Sequence, residues 1–517
     1  MTVKRGIHAD QVNYLYEHRN EYPGVVVANS YLRHYPQGAL AAQLLGHVGE
    51  AAPEHLERDK TLRAGDDLGL GGVEATYDDF LRGRPGVARL FVDSLGRPRS
   101  ELEPVQQPQG GYSLRLTIDA QLQRAAEHAL RYGIAIAHEN QEWYADGGAI
   151  VALDPRSGEV LALASYPTFK PSVYVGRTDP RKLAPLVNAK RAQQENFPAL
   201  NRATAGLYPP GSTFKPVTAL AAMEEHLLSP FSARSCTPSY TVKGEDGVDY
   251  TFRNWDPYMS AAMTLPTAIA ASCDTYFYEL GYQFYLLPPE RGHPMQAWAS
   301  QFGFGLPTGI DVGPEEQGLL PTPEWRLKTY KNPIDKLWKP GDSIQLAIGQ
   351  KDLLVTPLQM ARFYALIANG GRLVTPHLVA DAETPGQNGA EPIVRQRFTP
   401  PSPQPIDLDP AALQAVRDGL LQATHYPLGT SAGVFDGFPV AIAGKTGTAE
   451  KWSSELERHL DQAWWCGYAP ADDPEIVVCA LIENGGHGGE AAAPAALRVF
   501  EQYFGVDATP VFPVRSD

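Results

Sequence analysis

The stretch that decides the fold is Tyr208-Pro-Pro-Gly-Ser-Thr-Phe-Lys215. The Pro-Pro-Gly turn stops the preceding chain, and a helix is expected to follow over 210–226. Three positions apart, Ser212 and Lys215 share one face of such a helix. A serine beside a lysine is an activated nucleophile when the lysine is neutral and can take the hydroxyl proton. Burial favours the neutral form, and the positive end of a helix dipole opposes an ammonium while favouring a developing oxyanion. Taken alone, the pattern equally describes a capping serine and a surface lysine. It occurs once in the chain.

Outward from it stand two further constellations. Gly444-Lys-Thr-Gly-Thr448 is expected to end an apolar strand running over 438–447. A cation and two hydroxyls on a strand edge can hold a carboxylate, and the glycine lets a second chain come close. An extended peptide could then add as a further strand, although a solubilising lysine on an edge strand is the other reading. Ser272-Cys-Asp274 falls inside a helical pattern spanning 266–285. By itself it says little; a cap or a buried polar turn would explain it.

The surrounding chain mixes helices with antiparallel strands. A strand is expected over 112–118, then a helix over 120–132 capped by Asp119. Strands 149–153 and 159–164 flank the turn Asp154-Pro-Arg-Ser-Gly158 and form a hairpin. Helices are expected over 357–369 and 494–503, and a hairpin over 464–483. Residues 380–410, with seven prolines, read as a polar connector. The fold class is therefore α+β with an antiparallel sheet. Pro104-Val-Gln-Gln-Pro-Gln-Gly-Gly111 reads as a boundary between a first domain, 1–110, and a second, 111–510.

With 517 residues, 43% hydrophobic and 20% charged, the chain has the material for two or three packed domains. The net charge of −15 carries no basic footprint, which excludes ordinary nucleic-acid binding. Cys236, Cys273, Cys466 and Cys479 show neither a C-x-x-C pair nor metal-ligand spacing, so buried free thiols are expected. A bridge between Cys466 and Cys479 would need a register that the sequence does not fix. No apolar run of 18 residues and no leader-like segment occur, which taken alone reads as cytoplasmic.

The order S-x-x-K, S-x-D, K-T-G resembles the signature of penicillin-binding proteins and serine β-lactamases. Asn201-Arg-Ala203, Leu116-Thr-Ile-Asp119, Gly148-Ala-Ile-Val-Ala-Leu-Asp-Pro155, Thr356-Pro-Leu-Gln359 and Trp464-Trp-Cys-Gly-Tyr-Ala-Pro470 narrow it to class B penicillin-binding proteins. Leu70-Gly-Gly-Val-Glu74 is similar to that family's pedestal. Ser272-Cys-Asp-Thr-Tyr-Phe-Tyr278 and Pro340-Gly-Asp-Ser343 point to the elongation-specific, monofunctional branch.

The resemblance implies a penicillin-binding/serine β-lactamase-like transpeptidase domain, an antiparallel sheet flanked by helices plus a helical lobe. A partial, dimerisation-type pedestal would precede it. The implied activity is D-Ala-D-Ala transpeptidation of peptidoglycan stem peptides through a serine acyl-enzyme, inhibited by β-lactams. Ser212 would be the nucleophile, Lys215 its base, and Ser272 with Lys445 the relay to the leaving group. Asp274, Thr446, Gly447 and Thr448 would bind substrate, and the backbone N–H groups of Ser212 and Thr448 would form the oxyanion hole. No metal or cofactor is implied. The implied partners are a RodA-type membrane glycosyltransferase and an MreC-type scaffold. The implied location is the extracytoplasmic face of the inner membrane, with the anchor missing from this chain. Two departures stand out: Asp274 replaces the commoner Asn, and Lys351 follows Gly349-Gln350 where the family has Gly. A serine β-lactamase, a D,D-carboxypeptidase and a catalytically silent cell-wall scaffold remain as alternatives.

Overall fold

The computed structural model describes residues 7–25, 27, 32–94, 99–100, 103–176, 178–244, 247–386, 391–453 and 457–511. The chain forms two compact units, both assembled from separate segments. The first comprises Met1–Leu116, Thr168–Ala199 and Val379–Thr399; the second comprises Thr117–Pro167, Leu200–Leu378 and Pro400–Asp517.

In the second unit, Asp119 caps α1 (Ala120–Glu139), its carboxylate accepting from the Gln121 and Leu122 N–H groups at 2.7 and 2.8 Å. Next come β1 (Gly147–Leu153) and β2 (Val160–Tyr166), joined by the expected turn. In that turn Asp154 accepts from the N–H groups of Arg156 and Ser157. The helical lobe contributes α2 (Lys215–Glu224), α3 (Leu265–Ala270), α4 (Asp274–Tyr285) and α5 (Pro357–Ala368). The chain closes with α6 (Pro410–His425), β3 (Ala443–Ser453), β4 (Arg458–Ala469), β5 (Ile476–Glu483) and α7 (Ala492–Phe504).

The five strands form one antiparallel sheet in the order β3-β4-β5-β1-β2. Its central strands are buried along their length, so both faces must be covered. Ile150, Ala152, Val478, Ala480 and Ile482 enter one core with Ala126, Leu130 and Ile134 of α1 and Leu497 and Phe500 of α7. The alternate residues, Val151, Val477 and Leu481, are equally buried on the opposite face, and α5 contacts β1, β4 and β5.

Three expectations need correction. The helical pattern over 266–285 is broken into α3 and α4, with Ser272 at φ +51° in the gap. The K-T-G does not end a strand over 438–447; it opens β3, which begins at Ala443 and runs on to Ser453. The connector 380–410 contains strands. In the first unit Val379–Thr384 lies between Ser113–Leu116 and Ile393–Arg397 in an antiparallel sheet. Pro385 and Pro392 fall between Val379–Thr384 and Ile393–Arg397 and the other five prolines follow them, so none removes a donor from that ladder. Arg115 pairs with Asp381 across that sheet, and Tyr77, Phe80 and Phe398 pack edge to face or tilted against one another. Glu74 of the pedestal motif is buried and held by Arg33 at 2.6 Å.

Among the described residues no helix is long and apolar enough to cross a membrane.

Candidate active site

The nucleophile turn is built from glycine and backbone contacts. Gly211–Phe214 is a 3-10 turn, and α2 begins only at Lys215. Gly211 adopts φ +56°, and a Cβ there would stand 2.6 Å from the Thr448 carbonyl oxygen. A Cβ on Gly447 would lie 2.8 Å from the Pro210 oxygen. The two glycines therefore let the nucleophile turn and the edge strand β3 touch backbone to backbone. Gly211 N–H donates to Gly349 O at 2.9 Å, Gln350 Nε2 donates to Thr448 O at 3.2 Å, and Trp464 Nε1 donates to Pro209 O at 2.9 Å. Behind the turn, Tyr208 donates to Glu483 at 2.6 Å, and Glu483 also faces buried Arg202 at 3.1 Å. Burial, reinforced by the Glu483 carboxylate, pushes the Tyr208 phenol far above its ordinary pKa, so it stays a donor.

Ser212 is 7% exposed, and its hydroxyl makes no hydrogen bond among the described residues. Lys215 is fully buried, and its Nζ reaches Ser272 O at 2.6 Å, Ser272 Oγ at 3.0 Å and Asp274 Oδ1 at 2.8 Å. The S-x-x-K and S-x-D residues are thus brought together. Asp274 accepts from the Trp255 backbone N–H on its other oxygen, at 2.9 Å.

On β3, Lys445 is buried and donates to Thr446 O at 3.0 Å and Thr446 Oγ1 at 3.3 Å. Thr446 Oγ1 lies 2.6 Å from Thr430 Oγ1, and Thr448 Oγ1 accepts from Gly488 N–H at 3.3 Å. Among the described residues β3 pairs with β4 alone, which leaves its other edge without a strand partner there. Lys351 adopts φ +68°, a conformation that glycine would take freely. Its ammonium pairs with Asp342, which also binds Arg326 at 3.0 Å.

Several site residues carry no sequence signal. Thr430, Asn254 and Trp255 belong to no recognisable motif and come from segments remote in sequence from the residues they contact. The free-thiol expectation is also corrected, because no cysteine is free. Cys236 is bonded to Cys273 with Cα atoms 6.2 Å apart, and Cys466 to Cys479, which stand opposite in the β4–β5 register.

Known proteins resemble this chain over most of its length. The penicillin-binding protein transpeptidase domain model matches residues 148–501, and the penicillin-binding protein dimerisation domain model matches residues 1–116. Peptidoglycan D,D-transpeptidase MrdA of Acinetobacter baumannii is 33% identical, over 95% of this chain and 69% of that protein. A chain of a peptidoglycan synthase complex, solved in a study of coordinated polymerisation and crosslinking, superposes with a TM-score of 0.78 at 32% identity. That match covers 98% of this chain and 82% of the other. Penicillin-binding protein 2 of Helicobacter pylori, solved in complex with MreC, gives 0.78 at 28% identity over 96% of this chain and 84% of its own. With a family model matched over most of the catalytic motifs' span and a relative sharing a third of its residues over nearly the whole chain, the chain belongs to the penicillin-binding protein transpeptidase family.

Proposed function

We propose that the chain is a peptidoglycan D,D-transpeptidase of the elongation type, working through an acyl-enzyme on Ser212. The observation that carries this reading is that Lys215 reaches Ser272 and Asp274 while Gly211, beside Ser212, packs against Thr448 of the K-T-G strand. Ser212 Oγ attacks the penultimate D-Ala carbonyl of a stem peptide, forming the ester bond as the peptide C–N bond breaks. Lys215 takes the hydroxyl proton. Ser272, 3.0 Å from Lys215 Nζ, relays a proton to the departing D-Ala amine together with Lys445. The N–H groups of Ser212 and Thr448 receive the oxyanion. Thr446 and Thr448 hold the terminal carboxylate, and the peptide lies along β3 where Gly447 leaves room. Asp274 is committed to Lys215 and Trp255, yet each carboxylate oxygen retains a lone pair for a substrate N–H. An amine of a second stem peptide then opens the ester and completes the cross-link.

By the same reading, residues 1–110 are the pedestal and 111–510 the transpeptidase domain. The partners are a membrane glycosyltransferase and an MreC-type scaffold, and the site of action is the extracytoplasmic face of the inner membrane. The complexes in which the solved relatives occur support this assignment.

Incubation with a D-Ala-D-Ala-terminated donor peptide and an acceptor amine, followed by mass spectrometry, tests it. Release of D-Ala with formation of the joined peptide is expected. Release of D-Ala with only the hydrolysed donor would replace transpeptidation by carboxypeptidase activity.

A further inference from the structure

The bend that carries Ser272 is held from two sides. Ser272 is a buried non-glycine residue at φ +51°; its N–H donates to Ile269 O at 3.1 Å and the Cys273 N–H to Ala268 O at 3.0 Å, so α3 holds one side. The other side is held from residues 236–237 and 254–255. Cys236 is covalently joined to Cys273. The Asn254 side-chain oxygen accepts from Asp274 N–H at 2.9 Å, and Trp255 N–H donates to Asp274 Oδ2 at 2.9 Å. Trp255 Nε1 donates to Ala271 O at 3.2 Å. Thr275 Oγ1 accepts from Thr237 N–H and donates to Thr237 O, both at 3.0 Å.

Ser239–Lys243 and Asp249–Arg253 form a mostly exposed two-stranded ribbon that packs on α4 through Tyr240 against Tyr282 and Phe252 against Tyr278. Cys236 precedes it in a second short pair, Arg234–Cys236 against Ala261–Met263. Two-stranded pairs are marginal alone, and a covalent bond holds the register of both sides where hydrogen bonds alone would open. The bond also sits inside the motif itself, because Cys273 is the residue between Ser272 and Asp274.

We propose that Cys236 is a positioning residue: through its disulfide to Cys273 it clamps the short strand Arg234–Cys236 to the Ser272–Asp274 bend and so sets Ser272 and Asp274 against Lys215. The proposal rests on the acyl-transfer reading of Ser212. It makes the intact bond a condition for fast acylation, beyond any contribution to stability. Opening it takes two electrons and two protons, as when dithiothreitol converts the disulfide to two thiols and itself becomes the cyclic disulfide.

The test is saturation kinetics of acylation by a fluorescent penicillin on the full chain and on Cys236→Ser, at a temperature well below both melting transitions. Saturation separates the penicillin dissociation constant from the first-order acylation constant. The expected result is an acylation constant lower by about tenfold to a hundredfold, the scale of a small misplacement of catalytic groups, with the dissociation constant unchanged. An unchanged acylation constant together with a lower melting temperature would overturn the proposal and leave the bond a purely structural staple. If Cys236→Ser does not fold, the parent is reduced with dithiothreitol, the thiols are counted by mass, and the acylation constant is compared before and after reoxidation. Recovery on reoxidation supports the clamp, and an equal rate in the reduced protein refutes it. Absence of acylation in the untreated parent would instead count against the acyl-transfer reading itself.

Discussion

Ser212 and Ser272 both stand on backbone that is not α-helical, but their surroundings differ. Beside Ser212 the left-handed conformation is taken by Gly211, and the turn is locked by backbone contacts with Gly349 and Thr448. At Ser272 the serine adopts the left-handed conformation itself, and the bend is held by α3 carbonyls on one side and by side chains and a disulfide from residues 236–237 and 254–255 on the other. The first arrangement is rigid because nothing larger than a hydrogen fits. The second stores strain, since a left-handed non-glycine residue costs about 1–2 kcal/mol, and depends on neighbours to hold it. On the roles proposed above, a nucleophile at Ser212 that must meet an oxyanion hole gains from the first arrangement, and a proton relay at Ser272 tolerates the second provided its supports are intact.

Opposite substitutions separate the two arrangements. Gly211→Ala should have the largest effect, because its Cβ would meet the Thr448 carbonyl and force β3 and the nucleophile turn apart. A loss of acylation of about a hundredfold or more is expected, together with a lower melting temperature, read by penicillin-labelling rate and thermal unfolding. If Gly211→Ala labels at the parent rate, the backbone lock is not what positions Ser212.

Asp274→Asn should come next. Both oxygens of Asp274 accept from protein donors, so one contact must be lost when an amide NH₂ replaces an oxygen. A stability loss of about 1–3 kcal/mol in denaturant titration and slower acylation are expected. Equal stability and rate would mean that the Lys215–Asp274 contact contributes nothing.

The smallest effect separates the strain at Ser272 from its hydroxyl. Ser272→Ala keeps the strained backbone, whereas Ser272→Gly relieves it, and both lose Oγ. The glycine variant should be more stable than the alanine variant by about 1 kcal/mol, with both acylating slowly. A glycine variant less stable than the alanine variant would show that the bend is not strained.

Much of the site was legible in the sequence because its motifs are local. Ser212 with Lys215 and the run 444–448 each fit within one turn or one strand. The hairpin around Asp154–Gly158 and the cap at Asp119 were legible for the same reason, since each is a contact between near neighbours. The break at Ser272 was not, because Ser272-Cys-Asp-Thr275 reads equally as a cap or as polar positions within one long helical pattern, and the partners at 236–237 and 254–255 are distant in sequence. The Cys236–Cys273 bond spans 37 residues and has no spacing signature. The strands within 379–397 were hidden by the neighbouring prolines, which bound them without interrupting them.

The central claim is that Ser212 is an acylated nucleophile. Intact mass after incubation with a penicillin, beside a Ser212→Ala control and followed by a drug-free chase, tests it most directly. A single adduct on the parent chain alone, surviving the chase, is the expected result. Labelling of Ser212→Ala to the same extent, or no adduct on the parent, would contradict the assignment, and an adduct that vanishes during the chase with hydrolysis of the drug would place the chain among β-lactamases.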